Sequence, residues 1–312
     1  MSTAMSTESL GWWGVLVAVF AGALRGGTPF LLVSLGECLT EKSGKINLGL
    51  EGTLLLGAMT AYAVSYRTGS PWVGVAAAGG AGMFLGCIHA WLVQKPKVND
   101  VAVGIAMMLF GSGLAFFFGK PYINPSAPQL PALQLGNWSN VAQIRAALKI
   151  GPLFILGLAL AFAMNWFFKS TRWGLQIRAV GDSPASARAM GISVTRTRFF
   201  AIVGGSFLAG LGGAHLSLFY PGAWTELISS GQGLMAVALV IFARWNPVHC
   251  LYASLLFGGA QAVGPALQAV GVTGGYYLWN ASPYILTLIV MVLTCSQKRT
   301  LVGAPGALGA SS

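Results

Sequence analysis

The sequence predicts an all-α protein, a polytopic bundle of transmembrane helices, and three observations carry that expectation. Of 312 residues, 55% are hydrophobic and only 8% are charged, against roughly 25% charged in a soluble domain. The apolar residues gather in runs near the length a helix needs to cross the hydrocarbon core, about 20 residues. The 43 Gly and 10 Trp suit close helix packing in lipid and anchoring at the lipid–water boundary. A mean hydropathy of +0.70 leaves too little polar surface to clothe a water-soluble globule. The net charge of +11 therefore reads as a basic cytoplasmic face, with no nucleic-acid partner expected.

Taken in order, nine apolar runs are the expected spans: 11–39, 47–66, 71–93, 98–119, 150–168, 199–219, 227–243, 247–269 and 280–296. The first follows a stretch holding Glu8 and no Lys or Arg; a signal peptide begins basic, so this run reads as an uncleaved membrane segment. Arg25, Gly26, Gly27 and Pro29 interrupt it, which leaves two forms open: one kinked helix, or an interfacial helix followed by a short span. The seventh run is short and broken by Gly, so a partial helix is expected there. Orientation follows from the basic residues. The segment 169–198 holds Lys169, Arg172, Arg178, Arg188, Arg196 and Arg198 against one acid, Asp182. Placing it in the cytoplasm also puts Lys42, Lys45, Lys95, Lys97, Arg244, Lys298 and Arg299 inside, with the N-terminus outside and the C-terminus cytoplasmic. One transmembrane domain is read over 1–300 with a cytoplasmic loop at 169–198, and the Gly-, Ala-, Pro- and Ser-rich tail 301–312 is read as disordered. The external segment 120–149 carries Pro121, Pro125, Pro128 and Pro131; it is either a connector or a docking surface.

Much of the remaining pattern describes packing. Gly82 and Gly86 form a small-xxx-small pair, and Gly204, Gly205, Gly210, Gly212, Gly213 and Ala214 crowd the sixth span; such faces let helix backbones meet. Cys38, Cys87, Cys250 and Cys295 lack metal-ligand spacing and read as small packing residues. His89, His215 and His249 sit on different spans, so no metal site is expected. Ser206 after Gly204-Gly205 faintly resembles an intramembrane protease serine, but its partner would have to be His249, near the cytoplasmic face, so no catalytic residue is assigned.

Two polar stretches point to function. Glu37, Asn47 and Glu51 lie at the edges of apolar spans, where an ionisable group is costly and tends to face a water-filled cavity or a partner. Two readings of 37–52 stand: a turn neutralised by Lys42 and Lys45, or a helix pair broken at Ser43-Gly44 that lines a pathway. In the loop 178–198, Asp182 or Ser183 can cap a helix whose first turn suits Pro184, and Gly191 can end it in a left-handed conformation. A helix over 184–190 is too short to be stable alone and needs a surface to dock on.

The stretch Gly181-Asp-Ser-Pro-Ala-Ser-Ala-Arg-Ala-Met-Gly-Ile192 resembles the coupling loop of ABC importer permeases of the branched-chain amino acid, ribose and nucleoside group. Glu41-Lys-Ser-Gly-Lys-Ile-Asn-Leu-Gly-Leu-Glu-Gly52, Tyr220-Pro-Gly-Ala-Trp-Thr-Glu226 and Ala236-Val-Ala-Leu-Val-Ile-Phe-Ala-Arg-Trp-Asn-Pro247 resemble its nucleoside and simple-sugar subgroup. The resemblance implies a permease subunit in a bacterial plasma membrane, surrounded by lipid. It also implies cytosolic ATPase subunits, a second permease and an external solute-binding protein as partners. Asp182, Ser183, Pro184, Ala187, Met190 and Gly191 would then meet the ATPase. Asn47, Glu51, Glu37, Trp224, Glu226 and Gln232 are the pathway candidates, with Glu226 accepting hydrogen bonds from solute hydroxyls. Gln232 stands where the family pattern leads one to expect Arg, which puts the ligand in doubt. The chain has no Gly-x-x-x-x-Gly-Lys-Ser/Thr, so ATP chemistry is expected on a separate subunit, with no cofactor on this chain. The rival reading is an ion-coupled secondary transporter using Glu37 or Glu51 as its proton or sodium site.

Overall fold

A computed structural model describes residues 11–123, 125–137, 142–269, 271, 274–275, 278–279, 281–294 and 303–309. Six of its helices are long and apolar enough to cross a membrane: Trp13–Glu41, Pro71–Val93, Asp100–Tyr122, Pro152–Ser170, Val194–Leu218 and Pro247–Gln268. Cys295, Lys298 and Arg299 lie outside the described residues.

The first run is one continuous helix, α1 (Gly11–Glu41), with Pro29 inside it. Proline has no N–H to donate to the carbonyl four residues back, which here is that of Arg25. His215 Nε2 stands 3.0 Å from the Arg25 carbonyl oxygen. A carbonyl only accepts, so Nε2 carries the hydrogen and replaces the missing helix bond.

After a linker at 42–49 come α2 (Leu50–Thr68), α3 (Pro71–Val93) and α4 (Asp100–Gly119). Gly69 ends α2 at φ 72°. Pro71 opens α3 where its absent N–H costs nothing. The Asn99 side chain caps α4 by accepting from the Val101 and Ala102 amides.

The segment 120–150 is not wholly helical. A 3-10 turn (Lys120–Tyr122) precedes a two-residue antiparallel ladder, β1 (Leu133–Gln134) against β2 (Lys149–Ile150), with α5 (Ala142–Ala147) between them. Its prolines are tied down: Tyr62 Oη donates to the Pro125 carbonyl and Ser65 Oγ to that of Pro128, both at 2.8 Å. The remaining helices are α6 (Pro152–Ser170), α7 (Arg172–Asp182), α8 (Pro184–Ala189), α9 (Val194–Leu218), α10 (Gln232–Phe242), α11 (Pro247–Ala269), α12 (Ser282–Thr294) and α13 (Gly306–Gly309).

The centre of the bundle is α9, packed on α1, α2 and α3, while α11 lies along α1. The glycines counted in the sequence make this possible. A Cβ at Gly82 would land on the Ser206 carbonyl, one at Gly210 on that of Ala78, and one at Gly213 on that of Leu54. These are backbone contacts that only a missing side chain allows.

Residues 303–309 are ordered against the bundle: Gly306 lies on the Asp182 carbonyl, Pro305 near Gly181, and Ala307 beside Gly44. Leu308 and Ala304 pack on the hydrophobic core. Their small and apolar side chains fill the junction of α7 and the 42–49 linker, a long-range fit that tail composition does not reveal.

Candidate functional site

The short helix α8 is built by its two ends. Ser183 terminates α7, its amide donating to the Ala179 carbonyl, and begins α8, its Oγ accepting from the Ser186 amide at 3.3 Å. Pro184 takes the first helical position. At the far end Gly191 turns left-handed at φ 78°. Its amide donates to the Arg188 carbonyl at 2.9 Å and that of Ile192 to the Ala187 carbonyl at 3.0 Å, the paired closing bonds of a Schellman cap. Ala187, 1% exposed, packs against Val180, Ile192 and Val194. These caps and this contact supply what six residues lack as an isolated helix. The opposite face carries exposed Ala185, Ser186, Arg188, Ala189 and Met190, with Met190 at 78% exposure.

A second constellation surrounds α10. Its 11 residues span about 16 Å, half the thickness of the hydrocarbon core. Its N-terminus follows Gly231 in a left-handed conformation, and the orphan amides there are met by Glu51 of α2. The Glu51 carboxylate accepts from Ser229 Oγ at 2.5 Å, the Gly231 amide at 3.1 Å and the Gly233 amide at 2.6 Å. An acid at a helix N-terminus also suits the helix dipole. Beyond the other end, Arg244 and Trp245 are left-handed at φ 50° and 54°. The Trp245 indole N–H donates to the Glu41 carboxylate, and Cys38 Sγ donates to the Trp245 carbonyl at 3.3 Å. A half-length helix is thus held at both ends by carboxylates from α1 and α2.

The 42–49 linker completes this scaffold. Glu37 accepts from the Asn47 amide at 2.8 Å, and Asn47 Oδ1 accepts from the Gly49 amide at 3.0 Å. Lys45 pairs with Asp100 at 2.7 Å, and Arg198 Nε donates to the Ser43 carbonyl at 3.1 Å. Gly44 turns left-handed at φ 81°. A break near Ser43-Gly44 is therefore present, but Lys42 and Lys45 do not neutralise Glu37, Glu41 or Glu51 as the turn reading expected: Lys42 lies over the Phe168 ring and Lys45 takes Asp100.

Comparison with known proteins places this architecture. Residues 5–295 match the family model described as branched-chain amino acid transport system / permease component. The chain belongs to this permease family. The permease is 31% identical over 304 residues to the guanosine ABC transporter permease protein NupQ of Bacillus subtilis, covering 89% of this chain and 92% of that one. It is 27% identical to the nucleoside ABC transporter permease protein NupC of Lactococcus lactis over 295 residues, again 89% and 92%. A putative glucose ABC transporter permease protein, TsgC13 of Haloferax volcanii, is 36% identical over 248 residues, 77% and 74% of the two chains. The permease is thus a multi-pass membrane transport subunit and not an enzyme, with ATP hydrolysed on a separate subunit.

Of the residues singled out from sequence, the structure gathers Glu51 and Gln232 at the head of α10, and Glu37 and Asn47 beside the linker. Trp224 is apart from both, buried with its indole N–H on the Gly119 carbonyl at 3.0 Å, and Glu226 is half-buried. Gln232 alone among these six has an amide oxygen that is buried and makes no hydrogen bond within the described residues, while Glu37 keeps one such carboxylate oxygen. Asp182 is exposed and Ser183 is the residue that caps α8. Ala187 faces inward and packs α8 against Val180 and Val194. Ser206 is buried under Gly82 and Gly86 and takes a 3.4 Å bond from Asn47 Nδ2, while His249 is exposed on α11. Sequence reasoning missed Glu41, Trp245, Asp100 and His215. A proline inside an apolar run signals a needed donor, but its identity lies 190 residues away.

Proposed function

We propose that this permease serves an ATP-driven importer of nucleosides or simple sugars, and that α8 is the element its ATPase subunit moves. The observation that carries the reading is α8 itself: six residues outside the spans, capped at both ends, with one face packed inward and an apolar Met190 standing free on the other. The exposed face of Ala185, Ala189 and Met190 suits a groove on the ATPase. Because α7 and α8 are continuous with α9 and touch the tail at Asp182, a push on α8 reaches the 42–49 linker and the centre of the bundle together. ATP binding on the partner then favours one of two conformations of the pathway over the other.

The proposed topology has nine membrane segments, α1, α2, α3, α4, α6, α9, α10, α11 and α12, with the N-terminus outside and α8 in the cytoplasm. Support comes from the basic residues of 169–198 lying on the α8 side. The complete importer has a second permease beside this one in a bacterial plasma membrane, two ATPases on the cytosolic side and a solute-binding protein outside. At the head of α10, Gln232 offers its amide oxygen, unpartnered among the described residues, to solute hydroxyls in transit, and Glu51 holds that helix in position. Nucleosides or simple sugars fit a site built from amide and backbone groups, and the relatives named for guanosine, nucleosides and glucose support the same classes. The test is uptake of radiolabelled guanosine, adenosine, glucose and ribose by proteoliposomes holding the permeases, ATPase and binding protein. ATP-dependent uptake of a nucleoside or sugar supports the assignment. Uptake that persists without the ATPase overturns it.

A further inference from the structure

A cavity of about 410 Å³ lies between the end of α3, the start of α9 and the side of α8. Lys45, Gln94, Lys95, Arg188, Thr195 and Arg198 are among its lining. The charge is one-sided: four cations border it, and the only carboxylate paired with any of them among the described residues is Asp100, on Lys45. Arg198 feels the opposite charge of Asp100 and, less strongly, the like charge of Arg188. Lys95 and Arg188 are exposed. Ser193 does not cap α9 with its side chain, so the first-turn amides of α9 border the cavity without a side-chain acceptor, an arrangement that suits an anion.

The position identifies the anion. Two candidate spans, α3 and α9, meet the cavity at their ends, which is the depth of the lipid headgroups. Trp91, 59% exposed, carries Lys95 Nζ 4.4 Å above its ring. An aromatic body with a cation at its tip marks the boundary between acyl chains and headgroups. Along α3, Phe84 is also exposed, at 57%, so apolar surface continues from the cavity toward the bilayer interior. A soluble anion has no use for that surface, and an acyl chain does.

We infer that this cavity binds the headgroup phosphate of an anionic phospholipid, next to the helix the ATPase engages. The site depends on the cations and the cavity and not on the coupling role of α8; only its assignment to the inner leaflet rests on the orientation proposed above. Lys95 and Arg188 supply the free charges, Arg198 and the α9 amides the floor.

The experiment is native mass spectrometry of the assembled importer with its ATPase subunits in neutral detergent, after titration with phosphatidylglycerol or phosphatidylcholine. Wild type should retain one more phosphatidylglycerol than Lys95→Gln or Arg188→Gln, and no extra phosphatidylcholine. Each lost charge should weaken retention about fivefold, and more weakly as salt rises. Lys95→Arg should restore it, and Arg172→Gln, a basic residue elsewhere on the same side, should leave it unchanged. Excess inorganic phosphate should compete if the phosphate is what is recognised. Equal phosphatidylglycerol retention by wild type and Lys95→Gln overturns the proposal. So does inorganic phosphate binding without phosphatidylglycerol binding, which makes the site one for a soluble anion. Loss of ATPase subunits from Lys95→Gln with lipid retention unchanged overturns it as well, since the cavity then belongs to the partner protein.

Discussion

Replacing Glu51 by Ala asks whether this carboxylate is a helix cap or a solute contact. The substitution removes three hydrogen bonds at once, from Ser229 Oγ, the Gly231 amide and the Gly233 amide. Bonds to a charged group contribute about 1.5–3 kcal/mol each. They share one carboxylate whose desolvation opposes them, so the three do not add. The variant leaves three neutral donors unmet at about 1–3 kcal/mol each where buried, and an expected loss of about 3–5 kcal/mol allows for their incomplete burial. In thermal unfolding of the purified chain this corresponds to a fall on the order of 10 °C. Glu51→Gln keeps one acceptor oxygen but turns an NH2 toward backbone donors, and should fall between the two. Gly233→Ala should reproduce much of the effect, because its Cβ would stand 2.6 Å from Glu51 Cα and 2.7 Å from Oε2. Uptake should fall in all three. If Glu51→Ala unfolds within about 1 kcal/mol of wild type, the capping argument is wrong. Lost uptake at unchanged stability would make Glu51 a solute ligand.

Other consequences follow from the same contacts. His215→Ala leaves the Arg25 carbonyl without its side-chain donor and should cost about 1–3 kcal/mol; Pro29→Ala restores a helix N–H there, so the double variant should recover part of that loss, and strict additivity in the cycle would refute the pairing. Ala187→Glu forces a carboxylate into the contact with Val180 and Val194 and should detach α8, seen as faster proteolysis of the 183–191 loop and loss of ATPase co-purification. Deleting residues from Gly303 onward uncovers Gly44 and Gly181 and should lower stability by about 1–3 kcal/mol through lost apolar burial, read from the unfolding midpoint.

Legibility in the sequence divides along local and long-range lines. The helix α8 was readable because its signals are local: Ser183, Pro184 and Gly191 act within one turn of the residues they cap. The glycines of α3 and α9 announced close packing for the same reason, since absence of a side chain is visible in the sequence itself. The role of Glu51 was not. Its three partners lie about 180 positions away, and a carboxylate beside an apolar run looks the same whether it lines a pathway or caps a helix. Of the six pathway candidates, Glu37, Asn47 and Glu51 were chosen as costly polar groups at the edges of apolar spans. Four of the six, Glu37, Asn47, Glu51 and Trp224, make buried internal hydrogen bonds, which is the other way to bear that cost. Which face of α8 turns inward was not legible, because the contact of Ala187 with Val180 and Val194 depends on how three helices meet. The contacts of residues 303–309 were not legible because they fill a junction formed by segments far away in the chain.

The central claim is that a partner ATPase acts through the outward face of α8. Its most direct test is ATP-driven uptake in proteoliposomes by wild type and Met190→Glu, with ATP hydrolysis measured in the same vesicles. Met190 is exposed, so the substitution should leave folding intact while abolishing uptake and the stimulation of hydrolysis by liganded binding protein. Full uptake and full stimulation with the charge in place would contradict the account.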